Sequence, residues 1–143
     1  MSDDLEKIVN FINKHHVLSL ATSCNAELSV CNLFYAFDEN EVSFIVASSE
    51  GTTHIEHILQ NQNIAGSIVL ETKTIGKIQG LQFRGKFSLL EEQILKKLYF
   101  KTFPYALAMN PKLWQIKIDY LKMTDNNLGF GKKIILHSPF VQT

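Results

Sequence analysis

Residues 42–60 read VSFIVASSEGTTHIEHILQ, and this stretch decides how we interpret the rest of the chain. Val42–Ala47 is rich in branched and aromatic residues, which predicts a packed β-strand. The hydroxyl-rich segment Ser48–Thr52 ends the apolar run as a turn would. From residue 55 on, apolar residues recur at the spacing of one helix face. Because unpaired N–H groups at a helix start attract anions, the stretch predicts a cradle for a phosphate group.

The size and charge of the chain limit its class. It has 143 residues, which fit one domain spanning 1–143, and its formal net charge is zero. A neutral balance indicates neither a nucleic-acid nor a membrane partner, and no apolar run is long enough to span a bilayer. The first residues, MSDDLEK, contain no apolar signal segment. We therefore expect a cytoplasmic protein, and its neutral charge with a large core favours a homodimer.

The overall pattern predicts a mainly β fold with helices. Gly80 and Gly85 lie inside one long strand pattern and predict a bulge or bend, as the corners of a barrel require. We therefore favour a small antiparallel barrel of six or seven strands over an open sheet, with about three helices inserted. The predicted strands are 17–22, 27–37, 42–47, 64–70, 78–89, 113–124 and 134–137.

Two strands carry side chains that bear on function. The strand Glu27–Phe37 is mostly apolar on both faces, so we expect both to be covered. Asn32 interrupts one of these faces, and a buried amide needs partners. It either satisfies the backbone of a bend or meets the polar edge of a ligand, and both interpretations stay open. In the strand 113–124, alternation places Tyr120 on the same face as Trp114.

The helix after residue 52 has two local interpretations. Thr53 and Glu56 have the spacing of a capping box, which would use donors that a phosphate needs. His54 and His57 are three residues apart, but no third ligand or HExxH motif accompanies them. We therefore expect no metal site and place both histidines on the surface of a helix. A second capping box is predicted at Ser88–Glu91.

Beyond these patterns, the chain resembles the pyridoxamine 5'-phosphate oxidase-like FMN-binding split barrels. The order of elements, the Val42–Ala47 strand that runs into a polar loop and helix, and the strand Gln82-Phe83-Arg84-Gly85 are similar to that superfamily. The segment Met123–Lys133, MTDNNLGFGKK, together with Asn32-Leu33-Phe34-Tyr35, resembles its YhbP-like (UPF0306) bacterial subfamily.

This resemblance implies a six- to seven-stranded antiparallel split barrel that forms a homodimer with two flavin mononucleotide (FMN) sites at the interface. The phosphate end of FMN would meet the loop and helix start at residues 48–54, and the flavin ring would lie near the strands at 32–34 and 79–84. Residues from the C-terminal part of the partner would close each site. The cofactor-binding residues implied are Asn32, Ser48, Ser49, Thr52, Thr53, His54, Gln82, Arg84 and Lys132.

The chain departs from the superfamily at the phosphate end. Many flavin-binding members carry Ser-Arg-Lys at the helix start, where this chain has Thr52-Thr53-His54. Two cations are therefore missing, and charge-assisted bonds to phosphate are about twice as strong as neutral ones. Arg84, Lys86 or Lys132 of either subunit are the candidates to compensate.

Three hypotheses for function follow. The first is an FMN-binding protein that acts as a flavin-dependent oxidoreductase on an unknown small molecule. The second is a split-barrel binding or interaction module without tight flavin binding, and the third is a haem-binding protein. We assign no catalytic residue, since no serine or cysteine has an identifiable histidine and aspartate beside it, and a flavin carries the redox step itself.

Overall fold

The computed structural model describes residues 2–140. Within them the chain forms seven β-strands and three α-helices, with short 3-10 segments at 75–77, 104–109 and 126–128. In chain order the elements are α1 (Asp3–Lys14), β1 (Val17–Cys24), β2 (Glu27–Asp38), β3 (Ser43–Ala47), α2 (Thr53–Gln60), β4 (Asn63–Val69), β5 (Gln79–Leu89), α3 (Gln93–Thr102), β6 (Leu113–Asp125) and β7 (Lys133–His137).

The strands form one antiparallel sheet that closes on itself. Their order is β3-β2-β1-β4-β5-β6-β7, and β3 also pairs with β6, so six strands complete a barrel. β6 is long enough to have two further partners beside β5. Its first half, Leu113–Lys117, pairs with β3, whereas Tyr120–Thr124 pairs with β7. This division opens the barrel along one side and confirms the predicted mainly β split barrel.

The barrel interior holds the main hydrophobic core. Phe44, Phe83 and Phe87 are fully buried, and the apolar face of α1, including Ile8 and Ile12, packs into the same cluster. Burying each such side chain contributes about 1.5–3 kcal/mol, which explains why the alternating strand pattern determines the inward face. The Ser2 hydroxyl accepts a hydrogen bond from the N–H of Leu5 (3.2 Å) and caps the start of α1.

A bulge bends the β5–β6 pair, as the glycine at position 85 predicted. The register shifts between Arg84 and Gly85, and Asp119 of β6 is the extra residue, because Arg84 faces Tyr120 and Gly85 faces Ile118. A Cβ atom at Gly85 would collide with the carbonyl oxygen of Lys117 and lie 3.1 Å from the Cα of Ile118. Glycine is therefore required here because a backbone approaches closely.

We expect Gly85→Ala to lower the free energy of unfolding by about 1–3 kcal/mol, since the obstacle is backbone that cannot swing aside. Urea denaturation followed by circular dichroism measures the change. Gly76→Ala is the matched control, because a Cβ atom there has no heavy atom within 4 Å. Equal stabilities of the two variants would contradict this explanation of the bulge.

Two local predictions are wrong. The capping box at Ser88–Glu91 does not form: Ser88 lies within β5, paired with Gln115, and α3 begins at Gln93 with no side-chain cap. Strand pairing with β6 extends to Leu89 and takes precedence over the local capping pattern. The expectation that β2 is covered on both faces also fails, because Leu28, Val30 and Phe34 are exposed.

Candidate functional site

The loop between β3 and α2 is fixed to the start of β6. The N–H of Ser48 donates to the carbonyl oxygen of Lys112 (3.1 Å), and the carbonyl oxygen of Ser48 accepts from Nε1 of Trp114 (2.9 Å). The Trp114 ring is buried against Phe87. Both backbone groups of Ser48 are thus held by β6, and the position of its hydroxyl at the start of the loop is well defined.

The start of α2 lacks a side-chain cap. Thr52 is the N-cap residue, and its hydroxyl donates to the carbonyl oxygen of Ser49 (2.9 Å) instead of accepting from the helix. The predicted capping box of Thr53 and Glu56 is therefore wrong. The N–H of Glu56 makes the ordinary helical bond to the Thr52 carbonyl oxygen (3.0 Å). The N–H groups of the first turn consequently remain available to an anion.

His54 brings the loop and the helix together. Its side chain is buried, contrary to the predicted surface position, and its Nε2 contacts the hydroxyls of Ser48 and Thr52 (3.5 Å for Thr52). Burial lowers the pKa of His54 below its usual value. Which of His54 and Ser48 is the donor depends on the tautomer of the imidazole. With the proton on Nε2, both hydroxyls accept from His54, and the Ser48 hydroxyl keeps its own proton for another acceptor.

His57 has a structural role. Its Nδ1 lies 2.8 Å from the hydroxyl of Thr22 in β1, and its Nε2 lies 3.0 Å from a carboxylate oxygen of Glu27 in β2. The side chain is buried, so it too is not on the helix surface. These contacts join α2 to the β1–β2 hairpin. Within residues 2–140, no three His, Cys, Asp or Glu side chains group as metal ligands would.

The second part of the candidate site is the outer face of the sheet. A row of polar side chains crosses four strands: Asn32 of β2, Ser19 of β1, Ser67 of β4 and Gln82 of β5. Asn32 is exposed, so neither its predicted burial nor a bend explains it, and its Oδ1 accepts from the Ser19 hydroxyl (2.8 Å). At a strand spacing of about 4.8 Å, Asn32 and Gln82 are about 14 Å apart.

Arg84 lies on the same face of β5, two residues after Gln82. Its guanidinium carbon is 3.9 Å from the centroid of the Tyr120 ring, a cation–π contact. The Tyr120 ring in turn meets the ring of His137 edge to face, with centroids 5.2 Å apart. The sequence pattern missed Tyr120, because the bulge at Asp119 shifts the alternation and turns Tyr120 away from the core face. Only the register of the β5–β6 pairing shows which face of the sheet Tyr120 occupies.

The outer face is basic. Its paired positions on β4 to β7 carry five cations and no carboxylate among the described residues, in a chain whose net charge is zero. Asp119, the extra residue of the bulge, makes no ion pair within 4 Å in the described part of the chain. The five cations are Arg84, Lys86, Lys117, Lys122 and Lys133. Such a surface attracts an anionic ligand.

An apolar patch lies on the same outer face, separated from the basic area by strands β1 and β4. Leu28, Val30 and Phe34 of β2 are 82%, 72% and 56% exposed, and we call these three residues the β2 patch. The pairing of β2 with β3 stops at Tyr35, so one edge of β2 beside the patch has no strand partner among the described residues. Exposed apolar clusters of this kind mark interaction surfaces.

The structure brings some of the predicted site residues together and separates others. Ser48, Thr52 and His54 form one cluster, with Ser49 and Thr53 exposed at its rim. The pairing of β3 with β2 ends three residues from Asn32, so the loop leaves the sheet beside that part of β2. Asn32, Gln82 and Arg84 share the outer face.

Lys132 is the predicted residue that lies apart. Its carbonyl oxygen accepts from the N–H of Asp125 at the end of β6, whereas the loop at Ser48 lies at the beginning of that strand. Twelve residue steps along β6 correspond to about 40 Å. Lys132 therefore cannot reach the Ser48 cluster of its own protomer. Lys86, another proposed substitute cation, donates to Oδ1 of Asn63 (2.9 Å).

Comparison with solved structures identifies the class of fold. The chain superposes on a haem-binding protein from Mycobacterium smegmatis with a TM-score of 0.78 and 12% identity, covering 96% of this chain and 59% of that one. It also matches an FAD-binding protein from Mesorhizobium loti (TM-score 0.70, 13% identity, 82% and 90% covered). HutZ, the haem storage protein from Vibrio cholerae, matches with a TM-score of 0.66 and 14% identity, covering 80% and 89%. The class is the split barrel, and identities this low show the fold alone.

Sequence comparison identifies the family. The chain is 37% identical over 135 residues to a UPF0306 protein from Yersinia pestis bv. Antiqua (strain Angola), covering 92% of both chains. A UPF0306 protein from Yersinia pseudotuberculosis serotype O:1b has the same identity and coverage. The chain belongs to the UPF0306 family, as the resemblance predicted. No family model matches the sequence. None of the described helices is long and apolar enough to cross a membrane.

Proposed function

We propose that this protein is a cytoplasmic homodimer that binds FMN and acts as a flavin-dependent oxidoreductase on a small molecule. The observation that carries the proposal is the uncapped start of α2 beside Ser48, Thr52 and His54. A phosphate there would accept from the Ser48 hydroxyl and from N–H groups of the first helical turn. The partial positive charge of the helix start favours the same ligand.

The outer face supports the location of the rest of the cofactor. Asn32, Gln82 and Arg84 offer amide and guanidinium groups to the edge of a flavin ring, on a surface without paired carboxylates. The bound flavin would supply the electron transfer, while these side chains would bind and orient it. We therefore propose these three side chains as binding residues.

A homodimer completes this arrangement. The β2 patch lies on the same outer face as the proposed ring site, so a second copy packed on the patch would border the flavin. Lys132 and the Ser48 cluster lie at opposite ends of β6 in one chain, so a second copy would be needed to bring this cation to the phosphate. This is why we retain Lys132 as a candidate contributed across the interface.

The first test compares FMN with riboflavin, which lacks the phosphate. We expect FMN to raise the melting temperature of the purified protein more than riboflavin does, and to bind in the micromolar range or tighter. Ser48→Ala should weaken FMN binding by about ten- to a hundredfold, the value of one hydrogen bond to a charged group, and leave riboflavin affinity unchanged. Thr74→Ala is the control, since Thr74 is exposed and makes no side-chain cap bond.

The outcomes separate the hypotheses. Equal responses to FMN and riboflavin would reject the phosphate site. A colourless protein that shows no thermal shift with either flavin would reject the FMN proposal and favour a binding module without tight flavin binding. If the natural protein binds FMN in the micromolar range, the hypothesis of a binding module without tight flavin binding is rejected.

Haem is the second candidate ligand. Two of the similar structures are described as haem-binding or haem storage proteins, and His137 offers an exposed imidazole beside Tyr120 on the basic outer face. The basic side chains of this face would suit the carboxylates of a porphyrin. Titration with haemin should then give a Soret band that His137→Ala removes. A spectrum unaffected by this substitution would reject His137 as the ligand.

A further inference from the structure

A recess on the outer face lies between three strands. Ala65 and Gly66 of β4, Gln82, Phe83 and Arg84 of β5, and Tyr120 of β6 line it, and its volume is about 340 Å³. The recess is distinct from the Ser48 cluster: Tyr120 lies seven residues along β6 from Leu113, which corresponds to about 23 Å. It therefore offers room for a small molecule beyond the phosphate end of the proposed flavin.

The position of the Arg84 guanidinium suits a planar anion. Its stacking against the Tyr120 ring at 3.9 Å occupies one face of the guanidinium and restricts its rotation, while the N–H donors point outward in its plane. No carboxylate lies within 4 Å of it among residues 2–140. A fixed and unpaired fork of donors matches the two oxygens of a carboxylate.

The single positive charge of the recess favours a singly charged anion over a dianion. Arg84 is the one cation among the six lining residues, and Ala65 adds apolar surface, whereas the Phe83 side chain is buried in the barrel core and lines the recess only by its backbone. One positive charge beside apolar surface matches a singly charged acid with an apolar body. A phosphate dianion would call for a second cation at the recess, and Lys122, which lies opposite Gln82 on this face, does not line it.

We propose that this recess binds the carboxylate of a small organic acid, with Arg84 as the ligand of the carboxylate and Tyr120 as the residue that positions Arg84. The inference rests on the proposed function in one respect: it takes this acid to be the molecule that meets the bound flavin. It also replaces the contact with the flavin ring that the family resemblance implies and that the proposed function gives to Arg84, since Arg84 then holds the reaction partner and Asn32 and Gln82 remain the proposed flavin contacts.

The test titrates benzoate, a planar carboxylate probe, into the full-length protein by isothermal titration calorimetry. Benzamide is the neutral probe of the same shape, and inorganic phosphate is the competing anion. We expect benzoate to bind at least about tenfold more tightly than benzamide or phosphate. Arg84→Gln should weaken benzoate at least about tenfold, and Tyr120→Leu should weaken it less, while Tyr120→Phe keeps the stacking and the affinity.

Lys117→Gln is the matched control, since it removes an exposed cation from the same strand as Tyr120 and should change benzoate affinity less than twofold. Absence of benzoate binding to the folded protein, equal binding of benzoate and benzamide, or equal effects of Arg84→Gln and Lys117→Gln would each overturn the inference.

Repeating the titration with FMN separates this inference from the proposed function. If benzoate binds FMN-saturated protein and FMN-free protein with the same affinity, the result supports a recess beside the flavin. Benzoate binding by a protein that takes up no FMN supports the carboxylate site while the proposed function fails. If FMN competes with benzoate, the flavin itself occupies Arg84, and the inference is overturned although FMN binding stands.

Discussion

Val30→Glu is expected to convert the proposed dimer into a monomer, with a dissociation constant raised about a hundredfold or more. Val30 lies in the centre of the β2 patch and is 72% exposed in the single chain. A two-fold interface would receive the substitution twice, so two carboxylates would be removed from water without a partner. Leaving a buried charge uncompensated costs about 3–5 kcal/mol, which is more than a typical interface can lose.

Sedimentation velocity at several concentrations measures this effect against a chain mass of 16.3 kDa. Ile94→Glu on α3 is the matched control, because Ile94 is also 72% exposed but lies outside the β2 patch. We expect Ile94→Glu to remain dimeric. The monomer should also lose FMN affinity if the partner helps to close the site. A natural protein that sediments as a monomer, or two variants that behave alike, would reject the β2 patch as the interface.

Thr53→Arg is expected to tighten FMN binding by about tenfold and at the same time to destabilise the ligand-free protein by a few tenths of a kcal/mol. Thr53 is exposed at the first position of α2, where an arginine can reach a phosphate without repacking. A cation at a helix start opposes the helix dipole until an anion is bound, so the two effects have opposite signs. A charge-assisted hydrogen bond to phosphate accounts for the gain.

Fluorescence titration with FMN and riboflavin measures the gain, and riboflavin affinity should not change. Thr74→Arg controls for the added charge at a distant exposed position. His54→Lys should increase FMN affinity less than Thr53→Arg does. The imidazole is buried against the Ser48 and Thr52 hydroxyls, and a lysine would have to leave this position to reach a phosphate. If Thr53→Arg and Thr74→Arg change FMN affinity equally, the phosphate does not lie at the start of α2.

Periodicity and glycine position were sufficient to predict most of the fold. The strand predictions agree with the observed strands to within one or two residues at nearly every end, and Gly85 marks the bulge. These features depend on short-range physics: side-chain alternation selects the buried face, and a missing Cβ permits close approach of another strand. Capping was less predictable. Both capping boxes failed, because tertiary hydrogen bonds and strand pairing competed for the same residues.

The candidate site was predicted less completely than the fold. The hydroxyl-rich loop could be located from sequence, but the burial of His54 and its contacts with Ser48 and Thr52 could not. Tyr120 was missed because one extra residue, Asp119, reverses the alternation that sequence reasoning assumes. The exposed β2 patch was read as a covered strand face, since an apolar sequence does not say whether its own chain or a second copy covers it.

The sequence by itself determined the split barrel, its family and the position of the loop that precedes α2, because local patterns and similarity to relatives carry that information. Only the tertiary structure decided which side chains meet. It placed Asn32 and Gln82 in one row, stacked Arg84 on Tyr120, and left the start of α2 uncapped. These relations join residues that are distant in the chain. They depend on strand register, which a single bulge shifts by one residue and thereby changes the face that each side chain occupies.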